Sequence, residues 1–151
     1  MKPKHLTIVL IFLATCFSCD KSEFPSKDFS VNEINYGDCK TVTKSVLNEY
    51  LELTTINDYY LAISHINAMF NCVPGQIIVD AILEDNKISI NEYSTENSAN
   101  CICPYDLSFL IGPLQYDTYT LSVKQANYEI LNVEIDFNKD TDLKIDIEQT
   151  N

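Results

Sequence analysis

Arginine and tryptophan are both absent from this chain of 151 residues. All ten basic residues are lysines, and 22 acidic residues give the chain a formal net charge of −12. Arginine is the side chain that captures phosphate and carboxylate groups with two parallel hydrogen bonds. Nucleic-acid binding also requires a basic surface. The composition therefore argues against nucleic acid as a partner and against phosphoryl transfer.

Glycine and histidine are scarce as well, with three and two residues respectively. No repeat or low-complexity block is visible, so the chain is typical of a packed domain rather than a disordered or solenoid protein. None of the common hydrolase motifs is present, and a single histidine outside the N-terminal segment leaves no second one for a relay. We therefore predict a non-enzymatic protein without a cofactor. A hydrolase that uses two carboxylates stays open, because such a pair has no signature among 22 acids.

The N-terminal segment has the pattern of a bacterial lipoprotein signal peptide. Lys2 and Lys4 precede an apolar run over residues 6–17, and Ser18 then supplies a small residue before Cys19. Such a run is a secretory signal and is too short to span a bilayer. We expect cleavage after residue 18 and acylation of Cys19.

Two alternatives to lipidation of Cys19 remain. Cys16 lies in a second possible cleavage frame, and an ordinary signal peptide would carry no lipid. Cys19 is favoured because serine is the better neighbour for cleavage and an acidic stretch begins directly after it.

The predicted mature protein has a tether over residues 19–30 and a single domain over residues 31–151. Removal of residues 1–18 takes away two lysines and no acid, which lowers the formal charge from −12 to −14. Anionic head groups repel such a surface, so we expect the lipid to supply the membrane attachment.

Short alternating apolar runs between turn signals predict an all-β domain. We expect a central strand over residues 59–70, a hairpin over residues 77–90 and a strand over residues 101–111 whose odd positions share one face. Three more apolar faces follow near the C-terminus. The pattern predicts seven or eight strands in an antiparallel β-sandwich of immunoglobulin-like type, with a small barrel as the alternative. Residues 40–50 are compatible with a short helix.

The run Leu114-Gln-Tyr-Asp-Thr-Tyr119-Thr-Leu121 resembles a segment of many extracellular immunoglobulin-like and fibronectin-like sandwiches. The resemblance implies that the Tyr119 hydroxyl bonds to backbone a few residues upstream.

Two longer stretches, His65-Ile-Asn-Ala-Met-Phe-Asn71-Cys72 and Cys101-Ile-Cys-Pro-Tyr-Asp-Leu-Ser-Phe-Leu-Ile-Gly-Pro-Leu114, are similar to a group of small cell-surface lipoproteins of Bacteroidota-type gut bacteria. The resemblance implies an extracellular domain and carries no known activity. The acidic residues after Cys19 resemble the tag that sends such lipoproteins to the outer face of the outer membrane. We therefore expect a surface-exposed outer-membrane lipoprotein that binds a protein or glycan partner.

Four cysteines fall within the predicted domain: Cys39, Cys72, Cys101 and Cys103. An even number in a secreted domain predicts two disulfides. Residues two apart in a strand are about 6.6 Å apart, too far for a disulfide, so Cys101 and Cys103 are not expected to bond to each other. Each then pairs with Cys39 or Cys72, and both connectivities remain open.

A metal site is the alternative interpretation of these cysteines. His65, Cys72, Cys101 and Cys103 offer the ligands of a tetrahedral zinc or copper(I) site. Farther along the chain, Asp136, Asn138, Asp140 and Asp142 are spaced as at the start of a calcium loop. That loop lacks its glycine and its closing glutamate, so we predict a solvated turn there.

Overall fold

The computed structural model describes Pro25, residues 27–41 and residues 47–148. The predicted signal peptide, Cys16 and Cys19 lie outside the described residues. Residues 42–46 also lie outside the described residues. The short helix considered for residues 40–50 can therefore be compared with the structure only at residues 40–41 and 47–50, where no helix occurs. Among the described residues there is no helix with the length and apolar character needed to cross a membrane.

Nine strands are present in the described part of the chain, in two sheets. They are β1 (Ser30–Tyr36), β2 (Tyr50–Ile56), β3 (Tyr60–Asn71), β4 (Ile77–Glu84), β5 (Lys87–Ser94), β6 (Ile102–Gly112), β7 (Asp117–Gln125), β8 (Tyr128–Phe137) and β9 (Asp142–Asp146). One sheet has the order β1-β6-β3-β2-β9 and the other the order β4-β5-β7-β8. The predicted all-β sandwich is confirmed, with one strand more than expected.

The additional strand is β1. Its apolar residues Val31, Ile34 and Tyr36 do not alternate, because the pairing of β1 with β6 shifts register between Asn32 and Asn35. Such an irregularity removes the period of two on which strand prediction depends.

The expectation that all strands pair antiparallel is wrong at one position. β5 and β7 pair in parallel, with Ile88 opposite Leu121 and Ile90 opposite Val123. The intervening β6 crosses to the other sheet, so the chain returns to β7 in the direction of β5. The chain therefore crosses from one sheet to the other after β5 and crosses back after β6.

The core lies between the sheets and follows the predicted alternation. The odd positions of β6 from Cys103 to Ile111 are buried, and they face inward residues of the opposite sheet such as Leu121 and Val123. β3 lies between β6 and β2, which confirms its predicted central position. Each fully buried leucine or isoleucine stabilises such a core by about 1.5–3 kcal/mol.

Two tight turns and the expected tyrosine contact are also present. Asp85 and Asn86 join β4 to β5, and Ala126 and Asn127 join β7 to β8 with positive φ at both residues, as two-residue hairpins favour. The Tyr119 hydroxyl donates a hydrogen bond to the Gln115 carbonyl oxygen at 2.9 Å. The contact that the resemblance of this run implies is therefore present.

Candidate functional site

A cleft of about 370 Å³ opens at one end of the sandwich. The end of β3 and the start of β6 form one wall, and the ends of β5 and β7 with the start of β8 form the other. Its lining side chains are Met69, Phe70, Asn71, Tyr93, Ser94, Asn97, Ile102, Gln125, Ala126, Tyr128 and Ile130. The volume falls within the range of about 300–1,000 Å³ that small-ligand sites occupy.

The cleft combines exposed apolar groups with uncharged polar groups. Tyr128 is 79% exposed, Ile102 is 68% exposed and Met69 is 36% exposed. No lining residue carries a charge, although 21% of the chain is charged. Gln125 also has a buried Nε2 donor without a hydrogen-bond partner among the described residues. Contiguous exposed apolar surface with polar neighbours is typical of interaction sites.

Two disulfides lie at the same end of the sandwich as the cleft. One joins Cys72 to Cys101 with a Cα–Cα distance of 5.7 Å, and the other joins Cys39 to Cys103 at 5.8 Å. Two disulfides are thus confirmed, as is the prediction that Cys101 and Cys103 do not bond to each other. Asn71 and Ile102, which line the cleft, adjoin Cys72 and Cys101 in sequence, so this disulfide lies at one wall of the cleft.

The two disulfides are close neighbours. The Sγ atoms of Cys39, Cys72 and Cys103 all lie within 4.8 Å of one another. A separate opening of about 420 Å³, lined partly by Asp38, Cys39, Cys72 and Tyr105, leads to them. We call these four cysteines, including Cys101, the cysteine cluster.

His65 does not join the cysteine cluster. It lies opposite Leu107 on β6, four residues from Cys103, and both of its ring nitrogens are bonded to carboxylates. Nδ1 donates to Glu92 Oε2 at 2.7 Å, and Nε2 donates to Glu49 Oε1 at 2.9 Å. The ligand set of His65 with three cysteines is therefore not assembled in this structure.

The Glu49–His65–Glu92 triad is buried between the sheets. Burial lowers the pKa of His65, but the Glu92 charge and the hydrogen bonds to both glutamates outweigh it and raise the pKa to about 9. His65 is therefore an imidazolium near neutral pH. His65 and Glu92 have no exposed surface, and Glu92 Oε1 is a buried atom without a partner in the described part of the chain.

Sequence reasoning did not identify either glutamate of the triad. Glu92 continues the inward positions of Ile88 and Ile90, so the alternation of β5 carried a signal for it. Glu49 directly precedes β2 and continues the inward positions of Leu51 and Leu53, so the alternation carried a signal for it as well.

The segment with calcium-loop spacing is a turn between β8 and β9, as predicted. The Asn138 side-chain oxygen accepts a hydrogen bond from the Asp140 backbone nitrogen at 2.9 Å. The Thr141 hydroxyl accepts one from the Asn138 backbone nitrogen at 2.8 Å. These oxygens hold the turn itself.

The fold and the cleft together define a disulfide-stabilised β-sandwich with an uncharged cleft at one end. No family model matches the chain. No curated protein and no solved structure matches it either.

Proposed function

We propose that this protein is a non-enzymatic binding module of the bacterial cell envelope, anchored by a lipid on Cys19 and displayed on the surface of the outer membrane. The observation that carries the proposal is the cleft beside the two disulfides, whose exposed tyrosine, isoleucine and methionine side chains lie beside the side-chain nitrogen of Gln125, which is unpaired within the described chain. Tyrosine and methionine are enriched where proteins bind partners.

The position of the cleft supports display away from a membrane. The tether leads into β1 at Ser30, which pairs with Gly112 at the end of β6. Ile102 in the cleft is the first residue of the same strand. Ten residues at about 3.3 Å per residue separate the two ends by about 33 Å. A chain anchored through residues 19–30 would therefore present its cleft on the far side of the domain.

The two disulfides support an extracytoplasmic location. Disulfides persist in the periplasm and at cell surfaces and are rare in the reducing cytosol. The cysteine pairs connect the ends of β3 and β6 and the segment after β1, where they stabilise folded structure.

The burial of the triad supports a non-enzymatic role. Glu49, His65 and Glu92 are the described residues that most resemble acid–base machinery. Because His65 and Glu92 have no exposed surface, a substrate cannot reach them in this conformation. A catalytic base has to come within hydrogen-bond reach of its proton.

A protein or a glycan partner would contact this cleft through an uncharged group, because the lining contains rings and amides but no ion. An immunoglobulin-like relationship is part of the same proposal, and the corner contact of Tyr119 supports it.

Site-specific photo-crosslinking on intact cells tests the binding role. A photoreactive residue replaces Ile102 or Tyr128 in the cleft, and Ile82 on β4 is the control because it is 58% exposed but does not line the cleft. We expect one discrete adduct from both cleft positions and none from position 82. Equal labelling at all three positions, or no adduct at the cleft, contradicts the proposal.

Metabolic labelling with a radioactive fatty acid tests the anchor separately. We expect Cys19→Ala to abolish incorporation and to release the protein from membranes, whereas Cys16→Ala retains both label and attachment. The opposite pattern would assign the lipid to Cys16. Labelling of neither variant would contradict a lipid anchor.

A further inference from the structure

We propose that the cysteine cluster is a second, redox-controlled site: once reduced, Cys39, Cys72, Cys101 and Cys103 bind one thiophilic metal ion, Zn²⁺ or Cu⁺, as a tetrathiolate. This site is distinct from the cleft and does not depend on the function proposed for it. In this ligand set, Cys39 replaces His65 of the metal site that the sequence suggested.

The sulfur positions are close to those that such a site needs. Zinc–sulfur bonds of about 2.3 Å in a tetrahedron place the sulfurs about 3.8 Å apart. The Sγ atoms of Cys39, Cys72 and Cys103 are already within 4.8 Å of one another, and Cys101 Sγ is bonded to Cys72. Cys101 Sγ lies outside this group of three, so reduction has to release it from Cys72 and a rotation of the Cys101 side chain has to supply the fourth thiolate.

Hydrogen bonds hold the backbone at the cysteines without the disulfides. The Cys72 nitrogen donates to the Cys101 carbonyl oxygen at 3.2 Å, and Cys103 pairs with Phe70 in the sheet. On either side of Cys39, Gly37 donates to Asp106 at 3.0 Å and Lys40 donates to Pro104 at 2.9 Å. Reduction of the disulfides would thus leave the four sulfurs near one another.

The chemistry of the conversion balances with a dithiol as reductant. Each disulfide accepts two electrons and two protons, and each dithiol molecule becomes a disulfide. The four thiols lose their protons as the metal binds, because the thiolate is the ligand. The opening beside Asp38 gives access to the cluster, and Cys39 and Cys101 are exposed. The net charge of −12 attracts cations to this surface.

Metal titration of the full chain tests the proposal. Cys16→Ser and Cys19→Ser leave only the four cysteines of the cluster, and the protein is kept in detergent micelles. After reduction with excess dithiol and desalting without air, Zn²⁺ is added and followed by native mass spectrometry and thiol alkylation. We expect one zinc per chain and four thiols protected from alkylation. The oxidised chain should bind no zinc at these residues.

Two further variants distinguish a tetrathiolate from other modes of binding. We expect Cys39→Ser to weaken zinc binding at least about tenfold, since even the loss of an outer-shell partner has that effect. Asp38→Asn is the matched control at the same opening and should bind as the parent does. Equal zinc binding by the Cys39→Ser protein, equal binding by the oxidised chain, or no binding overturns the proposal.

If the reduced chain unfolds, far-UV circular dichroism with and without zinc provides the test. Recovery of the β-sheet signal on addition of one equivalent of zinc supports the site, because metal binding is then coupled to folding. A reduced chain that remains unfolded with zinc contradicts it.

Discussion

The imidazole of His65 on β3 bonds to Glu49, which directly precedes β2 of the same sheet, and to Glu92 on β5 of the opposite sheet, so the Glu92 contact connects the two sheets. Removal of one partner from a buried ionic group is strongly destabilising because it leaves the other charge without compensation. The triad is therefore a point at which single substitutions and pH should affect the whole fold.

Stability should decrease as the pH rises through the titration of His65. The pKa is about 9 in the folded protein and 6.5 in the unfolded reference. The stabilisation is therefore fully present below pH 6.5 and is lost as pH approaches 9. We expect the free energy of unfolding in urea to fall by about 3 kcal/mol over that interval.

Glu92→Gln provides the comparison for this pH dependence. The variant removes the charge that raises the pKa of His65, so its His65 resonance in NMR should titrate at lower pH and its stability should depend less on pH. An unchanged titration midpoint would show that the carboxylate does not act on the ring.

Tyr119→Phe should remove the corner hydrogen bond and little else. The hydroxyl donates to Gln115 at 2.9 Å, and a bond of this kind contributes about 0.5–1.5 kcal/mol to stability. Tyr128→Phe is the matched control because the side chain is 79% exposed and has no hydrogen bond in the described structure. Thermal unfolding checks the pair, and equal midpoints would argue against the corner contact.

At the residue scale, the sequence predicted those side-chain contacts that a local motif or the period of a strand determines. Tyr119 belongs to a recognisable run, and its contact is local. The partners of His65 come from irregular backbone before β2 and from a strand of the opposite sheet. No local pattern encodes such a meeting, so neither carboxylate was identified as a partner of His65.

At the scale of elements, eight of the nine described strands follow from alternation and turn residues. The exception, β1, has a shifted register, and the parallel pair of β5 and β7 depends on which sheet β6 joins. Sheet membership is a long-range property, so a single sequence does not reveal it. The same limit left the cysteine pairing open between two connectivities.

Gly112→Ala should destabilise the junction of β3 and β6. The residue has a φ of 144°, and an added Cβ would lie 2.7 Å from the Tyr59 carbonyl oxygen. Backbone must then move, so we expect a loss above about 1 kcal/mol. Gly37→Ala is the control because its Cβ would meet nothing within 4 Å. Urea unfolding measures both, and equal stability of the two variants would contradict the close approach.

The two disulfides should contribute unequally to stability. Cys39 and Cys103 are 64 residues apart in sequence, whereas Cys72 and Cys101 are 29 apart. Loop entropy gives about 4 and about 3.5 kcal/mol respectively. We expect the Cys39→Ser, Cys103→Ser protein to lose more stability than the Cys72→Ser, Cys101→Ser protein.

The Cys72–Cys101 disulfide should affect the cleft more strongly, because it adjoins Asn71 and Ile102. Hydrogen exchange should show faster opening of these two residues in the Cys72→Ser, Cys101→Ser protein only. Equal exchange in both variants would mean that the disulfide does not hold the cleft wall.

At the scale of the whole molecule, the sandwich has two different ends. The chain enters at Ser30 beside Gly112, and the cleft with both disulfides lies at the opposite end near Ile102. Under the proposed function, the lipid would hold the first of these ends and the cleft would face a partner beyond the membrane. The sequence predicted a lipid anchor, two disulfides and a binding role, but the cleft itself appears only when both sheets are assembled.

The intact mass of the protein purified from the membranes of its own cells tests this account most directly. We predict a chain that begins at Cys19, carries a lipid on that residue and has a mass four hydrogens below the reduced form. A chain without lipid, or one whose four domain cysteines are all free thiols, would contradict the account of a lipid-anchored, disulfide-stabilised envelope protein.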